Sequence, residues 1–545
     1  MKVYMNSTDR IVIVGGGTAG WFSAVTLNKY FPYKDIVCIE SKDVPRVGVG
    51  ESTLEHFTYW LHAMDIPKSD IYKHADGSVK LSLGFTDFYK KDSGTFHYPF
   101  GHAHKPESLY GDYGLDVWQY KKILHPETPV QDYADSFWSQ MALVHKNKYH
   151  SGEGKIFANF NWERNSAFHF DAIKFANFLR DNVAVPRGVT HIPSTVVKVN
   201  VNDDGIENVV LDDGTIVEGD LYIDCTGWKA ILMNELDNEF IDYGHLIPNN
   251  RAWATKIPYT DKRIEMQPWT NATALGNGWC WNIPCYSRIG TGYVYSDKYT
   301  TPEAALQEFK DYLRSDKMAY PSELRAVDDF EYKDISMRIG IYNEPWKKNC
   351  VAIGLASGFI EPLESTGLFT THEFILKLAE VLHPDHGYNR LDVNHYNQMV
   401  RGDFDGLCKF VASHYAYSRR DDTQYWKDVR NRDYNGSQTP VGANTMPVKY
   451  GEDYYTKETL NLTYYKGTLL DTAGTSAIMV GCEQTPLNKV NWSRLVYYNV
   501  LKGEKYWKNF LEHVTPKQEA LKDKWNAAAD QAPYICDWIR DTYHS

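Results

Sequence analysis

No stretch of this 545-residue chain is apolar for long enough to cross a bilayer. The apolar run nearest the N-terminus, Ile11-Val12-Ile13-Val14, is too short for a secretory leader and runs straight into a glycine turn, so neither a leader nor a membrane span is expected. Cysteine is sparse: eight residues are spread along the chain, with no Cys-x-x-Cys spacing. Cys280 and Cys285 lack the neighbours of a zinc knuckle, so no disulfide framework and no structural metal are expected, and a reduced, cytoplasmic setting is. A basic excess is also missing. With 58 Lys and Arg against 70 Asp and Glu the formal charge is −12, which argues against a nucleic-acid surface, and Lys146-Asn147-Lys148 is too short a basic spot to reverse that. There is no internal repeat and no low-complexity tract. What is left is a large globular chain, 43% hydrophobic, able to bury one extensive core or two to three smaller ones.

The most informative feature present is the run Ile11 to Val14 followed by Gly15-Gly16-Gly17-Thr18-Ala19-Gly20. A buried strand entering a turn of small residues lets backbone N–H groups and a helix N-terminus meet a pyrophosphate. Positions 35–39 read as the next strand, and Glu40 at its end stands twenty positions after Gly20, where a carboxylate accepts from ribose hydroxyls. A carboxylate there disfavours a 2′-phosphate, which favours FAD or NAD over NADP.

A second small-residue turn, Gly48-x-Gly50-Glu51-Ser52-Thr53, is expected to lead into a helix through Leu61, with Glu51 and Ser52 offering hydrogen-bonding groups at its start close to a flavin. Periodicity weakens between Phe96 and Tyr149, an insertion with a helix expected from Asp132 to His145. Helical spacing resumes from Phe170 to Leu179, and Val196 to Val201 with Ile206 to Leu211 reads as a hairpin closed through Asn202-Asp203-Asp204-Gly205. Leu221-Tyr222-Ile223-Asp224-Cys225-Thr226-Gly227 is another strand ending in a small-residue turn; alone it serves equally as a core strand or as a second cofactor contact through Asp224 and Gly227. In series with the first turn it points to an α/β fold with a discontinuous, Rossmann-like FAD-binding domain of the flavoprotein monooxygenase type. The substrate side and the C-terminal region are expected to be largely helical.

Trp279-Cys280-Trp281-Asn282-Ile283-Pro284 places two indoles on one face of an extended segment whose exit Pro284 restrains. An aromatic core strand is the plain reading of this segment. Together with Gly15-x-Gly17-x-x-Gly20, the 48–53 turn, Lys80, and Gly358-Phe359-Ile360-Glu361-Pro362-Leu363-Glu364-Ser365-Thr366-Gly367, however, the chain resembles the flavin-dependent halogenases of the tryptophan-halogenase family. These landmarks run from the N-terminus to about His372.

The resemblance implies chemistry divided between two places. Reduced FAD, oxygen and halide give hypohalous acid at the flavin, and this small oxidant travels to a lysine beside an electron-rich aromatic substrate. Lys80 matches that lysine, acting through a haloamine or as a hydrogen-bond donor to hypohalous acid; Gly84 stands where the family has a second lysine. Glu364 matches the carboxylate that orients the oxidant or removes the ring proton, and Ser365 links the flavin side to Lys80. Thr366 and Gly367 match the backbone halide seat, with a helix expected from about Leu368. Trp279, Trp281, Ile283 and Pro284 match the partition and passage that keep the organic substrate from the flavin.

Substrate contacts are less specific: His97, Tyr98, Phe100, Tyr454, Tyr455 and Tyr464 are aromatic candidates that suit a flat ring without distinguishing indole, phenol or pyrrole. The expected parts are 1–95, 151–235 and 331–395 for FAD, the last also for halide; 96–150 as a substrate-side insertion; 236–330 as a sheet with the aromatic wall; and 396–545 as a substrate cover. A single dinucleotide fingerprint implies that a separate NAD(P)H-dependent flavin reductase supplies reduced FAD. Homodimer association through aromatic surface is an open reading, and an FAD-dependent aromatic hydroxylase, with direct oxygen transfer and no need for Lys80, is the alternative enzyme.

Overall fold

The computed structural model describes residues 8–42, 48, 50–104, 117–118, 121–122, 124, 125–150, 156–157, 160–318, 326–383, 387–432, 472–483 and 503–545. Packing divides the chain into two compact units, each assembled from three segments. The first comprises Met1–Gly77, His169–Asn250 and Ile335–Cys408; the second comprises Ser78–Phe168, Arg251–Asp334 and Lys409–Ser545. These are units of packing, whereas the parts expected from sequence were assigned by role.

The first unit is built on a six-stranded sheet ordered Trp346–Lys347, Cys350–Ala352, Leu221–Asp224, Arg10–Val14, Asp35–Ile39, Thr190–Ile192. Arg10–Val14 lies between parallel neighbours, with Val12 opposite Tyr222 on one side and Val37 on the other. A central parallel strand is covered on both faces, which explains why Ile11 to Val14 are apolar without alternation and buried. The helices Thr18–Tyr30 and Thr366–Val381 pack against one another. The expected hairpin forms as Val196–Asn202 with Gly205–Leu211, antiparallel. It contributes Ile206, Val209 and Leu211 to a core shared with Val12, Val14 and Tyr222.

The second unit holds a seven-stranded sheet ordered Lys333–Ser336, Arg251–Ile257, Ile289–Tyr295, Gly278–Pro284, Trp269–Ala274, Ser82–Thr86, Thr95–Pro99. Its central pairings are antiparallel, but Trp269–Ala274 runs parallel to Ser82–Thr86. The helix Pro302–Leu313 buries Ala305, Phe309, Tyr312 and Leu313 against Cys280, Tyr293 and Tyr295 of the sheet. C-terminal helices Gly503–Gln531 and Ile535–Tyr543 complete it. No helix among the described residues is long and apolar enough to cross a membrane.

Three local expectations are corrected. The segment after Gly50 is not a helix start: Glu51–Ser52 is a short strand paired with His169 and Phe170, and the helix begins at His56. Phe170 belongs to that partner strand, so the next helix begins at Ala172, where the Asp171 carboxylate caps it by accepting from the Ile173 and Lys174 amides at 2.9 and 3.0 Å. In place of one helix from Asp132 to His145 there are two, Gln131–Phe137 and Met141–Val144. The break is used: Gln140 Nε2 donates to the Phe100 carbonyl at 2.6 Å, and Trp138 Nε1 to that of Gly101 at 3.4 Å.

Candidate active site

The fingerprint turn is made by steric necessity. A Cβ on Gly15, whose φ is +114°, would lie 2.3 Å from the Cys225 carbonyl oxygen, and one on Gly20 would lie 1.8 Å from that of Gly15. At Gly17 and Gly227 there is nothing within 4 Å of the same position. The chain is therefore closed where strand meets helix and open where a phosphate approaches, which fits a dinucleotide on the amides of Thr18–Tyr30. Gly16 leaves room for Glu40, whose carboxylate is held by Arg180 Nη1 at 3.1 Å and His191 Nε2 at 3.0 Å. The latter two partners carry no sequence signal, because they join the site only through the sheet.

Asp224 has a structural role in the turn that follows it. Its fully buried carboxylate accepts from the Thr226 amide and hydroxyl with one oxygen and from the Leu232 and Met233 amides with the other, at 2.6 to 3.0 Å. It shapes the turn that exposes Gly227.

The strand Glu51–Ser52 joins this end to the helix Thr366–Val381. Ser365 Oγ donates to Ser52 Oγ at 3.0 Å. Ser365 is left-handed, φ +59°, a conformation that costs a non-glycine residue about 1 kcal/mol or more. It ends the short turn Pro362–Glu364 and turns the chain into a helix that begins at Thr366, two residues before Leu368. No acidic side chain stands in the first helical turn, and the space around Gly367 is open. These free amides at the positive end of a long helix suit a small anion. Glu364 is fully buried, and so is Glu361 three positions earlier, which accepts from Asn249 Nδ2 at 2.7 Å. The Asn249 partnership went unseen in the sequence because the two residues are far apart in the chain.

Glu51 is perturbed. Burial, and then the neighbouring Asp171 carboxylate, push its pKa up from 4.5 to about 7. The unfolded chain thus releases this proton near pH 4.5 while the folded one keeps it to about pH 7, so stability falls as pH rises between the two. The full shift would correspond to about 3 kcal/mol, reduced by partial exposure to about 1 to 2 kcal/mol. Glu51→Gln is expected to raise the stability of the FAD-free protein by that amount above pH 7 and to change little near pH 4; chemical denaturation at both pH values checks this.

In the second unit, Lys80 is fully buried on the short strand Ser78–Lys80. Its Nζ lies 5.1 Å from the centre of the Phe100 ring. The backbone beside it is clamped, with the Leu81 amide donating to Pro268 at 2.7 Å and its carbonyl accepting from Phe100 at 3.0 Å. Ser78 Oγ donates to the Pro284 carbonyl, and the helix Ile535–Tyr543 packs on the same strand. Pro284 ends Gly278–Pro284, where Trp279 and Trp281 stand opposite Ala274 and Ala272, on one face, with ring centres 6.3 Å apart. Trp281 lies over Gly292, where a Cβ would come within 2.2 Å of the indole. Ile283 is buried beside them.

Of the aromatic candidates, Phe100 meets Lys80, while Tyr98 packs at Gly474 and His97 is enclosed on the opposite face. His97 Nδ1 is 3.1 Å from Ser82 Oγ, and the ring meets Trp269 and His145 edge-on. Burial pushes the His97 pKa down to about 3, so the imidazole is neutral. Tyr454, Tyr455 and Tyr464 lie outside the described residues. Gly84 explains its own departure from lysine: a Cβ there would come 2.3 Å from the Trp269 ring. Gly84→Ala is expected to cost about 1 to 3 kcal/mol by overpacking, read as a lowered melting temperature.

A small-residue turn with space for a phosphate, a carboxylate at the end of the second strand, a helix end suited to an anion and a buried lysine fit the class of dinucleotide-dependent oxidoreductases. The comparisons specify it further. Residues 10–443 match the tryptophan halogenase family, and the chain belongs to that family. It is 32% identical over 476 residues to the tryptophan 6-halogenase SttH of Streptomyces toxytricini, covering 81% of this chain and 87% of that one. Among solved structures, the VirX1 apo structure superposes with a TM-score of 0.84 at 30% identity, covering 100% of this chain and 99% of that one. Tar14, a tryptophan C-6 flavin-dependent halogenase (chlorinase) from taromycin biosynthesis, gives 0.79 at 27%, covering 99% and 100%. The protein is a flavin-dependent halogenase that uses reduced FAD, oxygen and halide to halogenate an aromatic substrate, and the hydroxylase alternative is not favoured.

Proposed function

We propose that halide is oxidised at the FAD-binding residues of the first unit and transferred to the substrate at Lys80 of the second. The observation that carries this reading is a fully buried lysine on a strand whose backbone is clamped on both sides. A lysine side chain is costly to bury, so its retention there argues for chemistry. Gly15, Gly17, Thr18, Ala19, Gly20, Glu40, Gly50 and Gly227 would hold FAD, which supplies two electrons to oxygen when bound and reduced. Ser52 and Ser365 tie that region to the halide seat at Thr366 and Gly367, whose amides neutralise a halide without a metal. Lys80 donates to or captures the oxidant, and Glu364 orients it or accepts the ring proton. Trp279, Trp281, Ile283 and Pro284 form the rigid wall that keeps the organic substrate away from FAD.

The substrate is an electron-rich ring of indole, phenol or pyrrole type. Tryptophan is the first to test, because the SttH name specifies it. Reduced FAD comes from a separate NAD(P)H-dependent flavin reductase, in a cytoplasmic setting suited to eight buried thiols that form no disulfide. A homodimer is the assembly to test by light scattering.

The deciding experiment combines the purified chain with reduced FAD, oxygen and either chloride or bromide, and follows tryptophan and other aromatic substrates by mass spectrometry. Products carrying the halogen isotope pattern are expected; oxygenated product without halogen would overturn the reading.

A further inference from the structure

Glu51 stands beside the fingerprint turn with its charge opposed rather than matched. Its strand pairs Glu51 with Phe170, and the next residue, Asp171, is buried with one oxygen fixed as a helix cap. Ala172 follows, and its carbonyl accepts from Thr18 Oγ1 at 3.4 Å, so the capped helix is pinned to the first residue of the fingerprint helix. These links connect Glu51, through Asp171 and Ala172, to Thr18 at the start of the helix whose amides suit a pyrophosphate.

The charges around it do not neutralise it. Lys174, on the capped helix, is directed to Asp76 at 3.6 Å. His169 is in register with Ser52, whose side chain leaves the strand on the side opposite Glu51. His56, on the following helix, packs against Phe369 with ring centres 4.9 Å apart. The charged group acting on Glu51 is Asp171, and with burial it already brings the carboxyl to the edge of ionisation near neutral pH. A pyrophosphate held at the Thr18 helix start would add a second negative charge near Glu51. Two anions near one half-buried carboxyl would disfavour its ionised form, and taking up a proton relieves that repulsion.

We propose that Glu51 takes up a proton when FAD binds, so that the grip of this enzyme on its cofactor weakens as pH rises. The inference rests on FAD lying at the turn formed by Gly15 to Gly20. By linkage, the apparent Kd for FAD rises by up to tenfold per pH unit above the point where free Glu51 ionises, and levels off where the complex ionises.

The test is calorimetric titration of the full chain with FAD at about pH 8, in buffers of different ionisation heat that count protons taken up, together with Kd against pH from flavin fluorescence. The wild type is expected to take up a proton approaching one per FAD, and Glu51→Gln none, with a Kd that no longer follows pH. Asp171→Asn keeps the capping oxygen but removes the opposing charge, and is expected to shift the rise in Kd to lower pH; it also tests the idea if Glu51→Gln folds poorly. Equal proton uptake and equal pH slope in Glu51→Gln and the wild type would overturn the proposal. Gly20→Ala separates the two readings: if it binds FAD as tightly as the wild type, the placement of FAD is wrong, whereas loss of binding with an unchanged slope in Glu51→Gln sinks the proton role alone.

Discussion

Lys80→Ala is expected to lower halogenated product by about 10³-fold or more while reduced FAD continues to be oxidised, a loss in the range of a missing acid–base or nucleophilic group. The side chain is removed, but the backbone that holds the strand is not: Leu81 stays bonded to Pro268 and Phe100, and Ser78 to Pro284. Folding should therefore survive. Lys80→Met keeps the stem against Phe100 and loses only the amine, so it should fail equally if the nitrogen carries the chemistry. Product by mass spectrometry and flavin oxidation by absorbance are read in the same reaction. Product within tenfold of the wild type in either variant would remove Lys80 from the mechanism.

Glu364→Gln is expected to cost about 10² to 10³-fold in turnover, again with flavin oxidation intact. Glu364 is fully buried at the end of the Pro362–Glu364 turn, immediately before the left-handed Ser365. Glutamine has the same length and fills the same space, so the turn and the helix start should be retained. What disappears is the carboxyl group proposed to orient the oxidant or to receive the ring proton. Glu364→Asp keeps the carboxyl and withdraws it by one methylene. Partial recovery in Asp with a normal substrate KM would indicate proton transfer over a variable gap; equal loss in both would indicate that position alone matters. Turnover within threefold of the wild type in Glu364→Gln would exclude both roles.

Some of this site is legible in the chain because it is local. Gly15, Gly17 and Gly20 announce a turn whose closure needs no partner beyond the adjacent strand. The alternation of Trp279 and Trp281 already puts both indoles on one face. Lys80, Glu364, Ser365, Thr366 and Gly367 were reached through family resemblance rather than periodicity, since a lone lysine or glutamate carries no chemical signature. The errors have a common physical origin. Glu51-Ser52-Thr53 looks like a helix start, yet the polar pair is recruited as a strand by His169 and Phe170, more than a hundred residues away. Asp224 carries no sign in the sequence of the amides that the following turn brings back to its oxygens.

By itself, then, the chain determined the dinucleotide turn, the paired indoles and the residue types available for halogen chemistry, because these depend on spacing along a strand or within a turn. Tertiary structure alone decided what surrounds each acid. It set Arg180 and His191 on Glu40, gave the space above Gly84 to Trp269, and placed Asp171 against Glu51. The reason is electrostatic and steric: the ionisation of a carboxyl, or the room for a side chain, is set by neighbours within a few ångströms, and those neighbours come from segments that only folding brings together.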